Sequence, residues 1–180
     1  MSVVFNPYDW YWRADDGRVF SSAQQATVPD TDQGYIDFMQ WAGPTPWPRD
    51  GSGEQTTQSM QEVLSPYGLF ADLLAYAANK RWETEVGGIT FNGAPVSTDD
   101  RSKQMVTGAR LAAQADPDFV TPWVMDDNSV VQLNAQAIIA LSDAVLAHVQ
   151  ACFTVFATVR AGIADGTVTT RQQVDAAFEG

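Results

Sequence analysis

The chain carries one histidine and one cysteine, His148 and Cys152, four residues apart. On a helix that spacing puts both on one face, where an imidazole and a thiolate could share a metal ion or act as base and nucleophile. Either chemistry needs more partners. No further His or Cys exists to complete a metal shell, and a nucleophile would lack an orienting group and a glycine-rich oxyanion turn nearby. Both residues also fall inside an apolar stripe, so a packed or interfacial pair is the favoured reading. No P-loop, G-x-S-x-G or dinucleotide fingerprint occurs. Neither a metal nor a cofactor is expected.

The carboxylates read mostly as turn and cap chemistry. Asp30-Thr31-Asp32-Gln33-Gly34 resembles the start of a calcium loop, but its glycine falls one position early and the twelfth position is Trp41. Capping of a short helix by Asp30 accounts for it better. Asp126-Asp127-Asn128 suits a turn, and Asp99 and Asp100 suit a helix N-terminus. Glu83 and Glu85 cannot face each other on a helix, which weakens an acid–base pair there. Trp10, Tyr11, Trp12, Trp41 and Trp47 are denser than a small module needs. Core packing is expected for most of them, with a partner- or glycan-binding face built on Trp10, Trp12, Trp41 and Trp47 as the second reading.

The elements that must position these residues centre on a helix predicted from Asn134 to Gly162, roughly 43 Å long. Its apolar positions Ile138, Ile139, Leu141, Val145, Leu146, Val149, Cys152, Phe153, Phe156, Val159 and Ile163 recur at steps of three and four. Positions 138, 145, 152 and 159 keep a seven-residue spacing, but His148 and Gly162 spoil the companion set of a coiled-coil seam. Packing within the chain is favoured, with a helix–helix partner contact second.

Before that helix, aromatic strands flank the Asp16-Gly17 turn as a hairpin. A short helix follows, begun at Thr27-Val28-Pro29-Asp30 with Ile36, Phe38, Met39 and Trp41 on its apolar side, and ended by the prolines after Gly43. Arg49 to Gln58 reads as a linker or exposed loop, and Met60, Val63 and Leu64 as a short helical segment. Leu69 to Glu85 is predicted helical. Ile89 to Ser97 is a hairpin around Asn92-Gly93. Asp100 to Gln114 is a helix capped by Thr98 or Asp99, with Met105, Val106, Ala109, Leu111 and Ala112 inward. Phe119–Met125 and Val130–Leu133 form a second hairpin, and Thr170 to Gln173 is a capping box for a last short helix. The fold class is α+β: a small hairpin-plus-helix module over 1–68 and a helix-dominated domain over 69–180 with two β-hairpins and one long central helix.

Composition sets further bounds. A net charge of −12 with ten scattered basic residues argues against nucleic acid and anionic membranes. No apolar run reaches the ~18 residues that a spanning helix needs. Met1-Ser2-Val3-Val4-Phe5 lacks the features of a signal peptide, so synthesis without secretion is expected. One cysteine allows no internal disulfide.

The string from Tyr76 to Gly93 (Tyr-Ala-Ala-Asn-Lys-Arg-Trp-Glu-Thr-Glu-Val-Gly-Gly-Ile-Thr-Phe-Asn-Gly) resembles the opening of DUF4376, a domain of unknown function common in tailed-phage and prophage proteins. Val96 to Ser102, Thr107-Gly108-Ala109 and Ala147 to Phe153 continue the resemblance in order, over about residues 70–178. The N-terminal part, with Val19-Phe20-Ser21-Ser22, Val28-Pro29 and Thr45-Pro46, is similar to segments of phage tail and tail-fibre assembly proteins. The resemblance implies a non-enzymatic tail component or fibre-assembly chaperone whose partner is a tail-fibre or baseplate protein. It would be made in the host cytoplasm and could end in the virion tail. A homo-oligomer is left open. The resemblance also includes His148 and Cys152 in the family's motif, without a role. The alternatives are a glycan-binding tip protein and, behind it, a glycan-degrading accessory enzyme, which would need two carboxylates facing each other across a groove.

Overall fold

The chain is α+β in the computed structural model, which describes residues 4–179. The reading of Met1 to Phe5 as no signal peptide therefore falls largely outside the described residues. Two compact units meet in sequence between Tyr76 and Ala77.

The first unit is a four-stranded sheet, β3-β2-β1-β4, with two helices. Strands β1 (Tyr11–Arg13) and β2 (Val19–Ser21) are the expected hairpin, paired Trp12 to Phe20, with Gly17 at φ +91° closing the turn. Thr27-Val28 does not begin a helix. Ala26–Val28 is strand β3, which pairs with β2, and α1 (Gln33–Trp41) is capped two residues later than expected. There Asp32 Oδ1 accepts from Tyr35 N at 3.0 Å. The proline-rich segment after α1 adds a strand that the pattern did not reveal, β4 (Thr45–Pro46), parallel to β1. Proline is tolerated on such an edge. Of the two readings of 49–58, the exposed loop holds over 49–56, where Asp50 Oδ1 accepts from Ser52 N and Glu54 N; Thr57 and Gln58 already belong to α2 (Thr57–Leu64), which begins with a Thr56–Ser59 capping box. Trp12, Phe20, Tyr35, Phe38, Trp47, Met60 and Leu64 form this unit's core.

Helix α3 (Leu73–Val86) contains the division and starts four residues later than expected. Phe70 N and Ala71 N donate to the side chains of Gln25 and Gln61, and Asp72 Oδ1 accepts from Ala75 N at 2.7 Å, so the helix can begin only there.

In the second unit β5 (Ile89–Phe91) and β6 (Ala94–Val96) turn at Asn92 and Gly93, both at positive φ. Asp99 caps α4 (Asp100–Ala115) by accepting from Ser102 N. The second hairpin is β7 (Val120–Val124) and β8 (Val130–Asn134), and Asn134 caps α5 (Ala135–Asp165), about 46 Å long. Gly162 does not end α5. A Cβ there would sit 2.6 Å from Val168 Cγ2, so the glycine lets the returning chain pack against the helix, and Gly166 at φ +79° is the actual cap. Gln173 and Thr170 cap each other's backbone N–H groups at the start of α6 (Arg171–Glu179), as expected.

The core of the second unit gathers Val106, Ala113, Met125, Leu133, Ile138, Leu141 and Val145. Two inward expectations on α4 are corrected: Met105 and Leu111 are exposed, because the face against α5 runs through Val106 and Ala113. On α5, Leu146 and Phe153 are likewise exposed. This helix is long and apolar enough, by length and composition, to cross a membrane, with only 22% of its most apolar stretch buried. The expectation that no apolar run reaches spanning length is corrected here: scattered Gln, Thr and Ser interrupt the stretch without charging it. Leu141→Ala is expected to cost about 2–5 kcal/mol and Leu111→Ala no more than about 0.5 kcal/mol in denaturant unfolding. Similar costs at the two sites would contradict this packing.

Candidate functional site

Helix α3 ends in a concentration of polar groups. Glu85, on its last turn, is buried, and its carboxylate forms ion pairs with Arg81 one turn back and with Lys103 Nζ at 2.7 Å from α4. Lys103 also reaches Asp100 at 2.9 Å. The backbone oxygen of Glu85 is used too. Buried Thr98 donates its hydroxyl to that oxygen at 2.6 Å and accepts from Gly88 N at 2.9 Å.

His148 completes the arrangement from α5. Its Nε2 lies 3.1 Å from Thr84 O and 3.3 Å from Glu85 O. Both neighbours are acceptors, so Nε2 carries the proton and donates. Carbonyls at a helix C-terminus have no partner within their own helix; here a side chain of another helix supplies one. Cys152 Sγ lies 3.9 Å from the same Nε2. The structure thus brings together the two residues the sequence singled out, and gives them packing partners. No group of three or more His, Cys, Asp or Glu side chains suited to a metal occurs among the described residues. Burial pushes the Cys152 thiol up, the Glu85 carboxylate adds to this, and Arg81 opposes it. A thiol held protonated is a poor nucleophile.

The four tryptophans that the sequence singled out lie in the first unit and separate into two kinds. Trp10, Trp12 and Trp47 are buried, which removes them from any docking face. Trp10 Nε1 donates to Thr45 and Trp47 Nε1 to Thr56 O. Trp41 is 56% exposed. Three aromatics not singled out in the sequence are exposed in the same unit: Phe5 (43%), Tyr8 (57%) and Tyr67 (40%). Edge-to-face contacts link them through Trp10. Their signal in the sequence is aromatic residues on either side of the hairpin, which tryptophan density alone does not register. The Glu85 cluster was half legible: Arg81 and Glu85 stand at i, i+4, but Lys103 comes from a helix eighteen residues on.

A groove of about 360 Å³ between α4 and β7 is lined by Asp99, Arg101, Met105, Trp123 and Asp126, among others. Asp99 accepts from Ser102 N and Ser97 Oγ, and these bonds hold its carboxyl below the usual range. That is the reverse of what a general acid needs.

The second unit is thus a helix-dominated α+β domain whose polar centre serves helix capping and ion pairing. Residues 69–178 match the domain of unknown function DUF4376, and the chain belongs to that family. No curated protein and no solved structure matches the chain.

Glu85→Ala leaves Arg81 and Lys103 without their acceptor and is expected to cost about 1–3 kcal/mol. Lys103 titrates above its ordinary 10.5, chiefly through its hydrogen bond to Glu85. Its contribution is therefore complete below pH 10.5 and lost as pH rises through the higher folded value. Denaturation measured across that alkaline range should show the loss in the wild type and a flatter profile in Glu85→Gln. Cys152 should resist alkylation at about pH 8 in the native chain and react readily in urea; rapid native labelling would contradict its burial.

Proposed function

We propose that this is a non-enzymatic bacteriophage tail protein that binds a tail-fibre or baseplate protein, as a virion component or a fibre-assembly chaperone. The observation that carries this reading is the exposed aromatic surface of the first unit, Phe5, Tyr8, Trp41 and Tyr67. Phe5, Tyr8 and Tyr67 touch one another and Trp41 joins them through buried Trp10; exposed aromatics are the composition of interface hot spots, and water gives no reason to keep them outside. The tail setting is supported by the resemblance of this unit, with its Val19 to Ser22 strand and Thr45-Pro46 edge, to tail and tail-fibre assembly segments.

The glycan-binding alternative is less well supported. Of the four tryptophans that would build such a face, Trp10, Trp12 and Trp47 are buried and only Trp41 is exposed. An enzyme reading would fall on the α4–β7 groove, where Asp99 is held in the wrong direction for an acid. The place of action under this reading is the host cytoplasm during assembly, and the virion tail if the protein stays with the particle.

Co-expression with tail-fibre and baseplate proteins of the same phage or prophage, followed by affinity capture, tests it. Capture of one of them is expected, and Trp41→Ala with Tyr67→Ala should weaken it by about 2 kcal/mol or more, roughly thirtyfold in Kd. Both side chains are exposed, so the fold should survive. Undiminished capture by the double variant, no capture at all, or turnover of a surface polysaccharide would refute the reading. Mass spectrometry of purified particles then separates virion part from chaperone.

A further inference from the structure

Helix α5 has a second stripe besides its buried one. Asp143, Leu146, Gln150, Phe153, Ala157 and Arg160 recur at alternating steps of three and four, and all six are exposed. Alternating three and four is the spacing of a helix–helix seam. Leu146 is 54% and Phe153 51% exposed, and one face of the Phe153 ring is covered by Arg81 at 4.6 Å. Between Asp143 and Arg160 the helix carries no charged residue, in a chain of net charge −12. Beside the stripe a groove of about 550 Å³ is lined by Phe153, Phe156, Ala157, Arg160, Ala161 and Ala164.

We propose that this stripe is a homodimer interface in which α5 pairs antiparallel with α5 of a second copy. The order of the six residues is self-complementary about a twofold axis crossing the helix between Ala151 and Cys152. Antiparallel pairing there sets Asp143 against Arg160, Leu146 against Ala157, and Gln150 against Phe153, each counted twice by symmetry. Opposite charges meet, and a large apolar side chain meets a small one. Leu146 of the second copy enters the groove between Phe153 and Arg160 as a knob enters a hole. Parallel pairing would set Asp143 on Asp143 and Arg160 on Arg160, so the charges select the antiparallel register. Arg160 has no ion pair among the described residues. Asp143 meets Arg110 of its own chain but keeps 59% of its side chain exposed for a second guanidinium.

The stripe uses none of the aromatic residues assigned to a tail partner, so the two readings fail independently. Sedimentation velocity of the full chain at tens of micromolar is expected to give a dimer. Arg160→Asp should weaken association at least tenfold, because it sets acid against acid, while leaving the circular dichroism spectrum unchanged. Ala157→Arg, also on an exposed position, should do the same by filling the place of Leu146. Combining Arg160→Asp with Asp143→Arg exchanges the charges and should recover the dimer. A monomeric wild type, a trimer, or a dimer indifferent to both Arg160→Asp and Ala157→Arg would overturn the assignment. So would a monomer that floats with phosphatidylcholine–phosphatidylglycerol vesicles, which would give the stripe to a membrane.

Discussion

The C-terminal end of α3 must find partners for its last carbonyl oxygens, and the second unit is built around meeting that need. A helix leaves these groups unpaired, and leaving them buried without donors would cost more than a typical hydrogen bond contributes. Three other segments come to the same turn. Thr98, just before α4, donates to Glu85 O; His148 of α5 donates to Thr84 O and Glu85 O; and Lys103 of α4 pairs with the Glu85 carboxylate. Each of these contacts ties the register of one element to another. A buried ion pair adds little net stability over an apolar replacement, and its removal by halves is costly. At this site the Lys103–Glu85 pair joins α4 to the last turn of α3, and the His148 hydrogen bonds join α5 to it.

What could be read from the sequence follows from how far apart the cooperating residues are. Asn92-Gly93, Asp99, Asn134 and the Thr170–Gln173 pair announce themselves because cap and turn chemistry is settled within four residues. The apolar period gave the long helix for the same reason. Strand β4 was invisible because two residues, one of them proline, hold a strand only through a parallel partner more than thirty positions away. The start of α3 was misplaced because Gln25 and Gln61 intercept backbone donors from outside the helix. Periodicity says that a helix has an apolar side, and tertiary packing decides which part of it is covered; Met105 and Leu111 fell on the open part.

The candidate site shows the same division. The spacing of His148 and Cys152 correctly places them on one face of α5, but their role depends on what that face meets, sixty-four positions back in the chain at Thr84. His148 Nε2 donates to the carbonyls that end α3, a role that spacing within α5 could not show. Tryptophan density did not separate buried rings from exposed ones. Large rings are efficient core filling in a unit with three-residue strands, and three of the four named tryptophans are spent that way. The aromatics left outside are two tyrosines, a phenylalanine and Trp41.

The two open apolar surfaces differ in a way that bears on what each can recognise. The aromatic one in the first unit mixes rings at steep angles with no internal symmetry, so nothing in it favours a copy of itself over another protein. The stripe on α5 is ordered acid, large, polar, large, small, base, and that order reads as its own complement when reversed. A heterologous partner would have no use for this reversal, since it needs only to match one direction. Self-complementarity costs sequence freedom at every position of the stripe, and the stretch between its two charges is kept clear of the acidic residues that fill the rest of the chain. In this register a residue meets the one equally far across the axis, so an acid within the stretch would be set against an uncharged side chain of the second copy with no partner for its charge. The charge pattern and the size pattern therefore require the same geometry by independent physical routes.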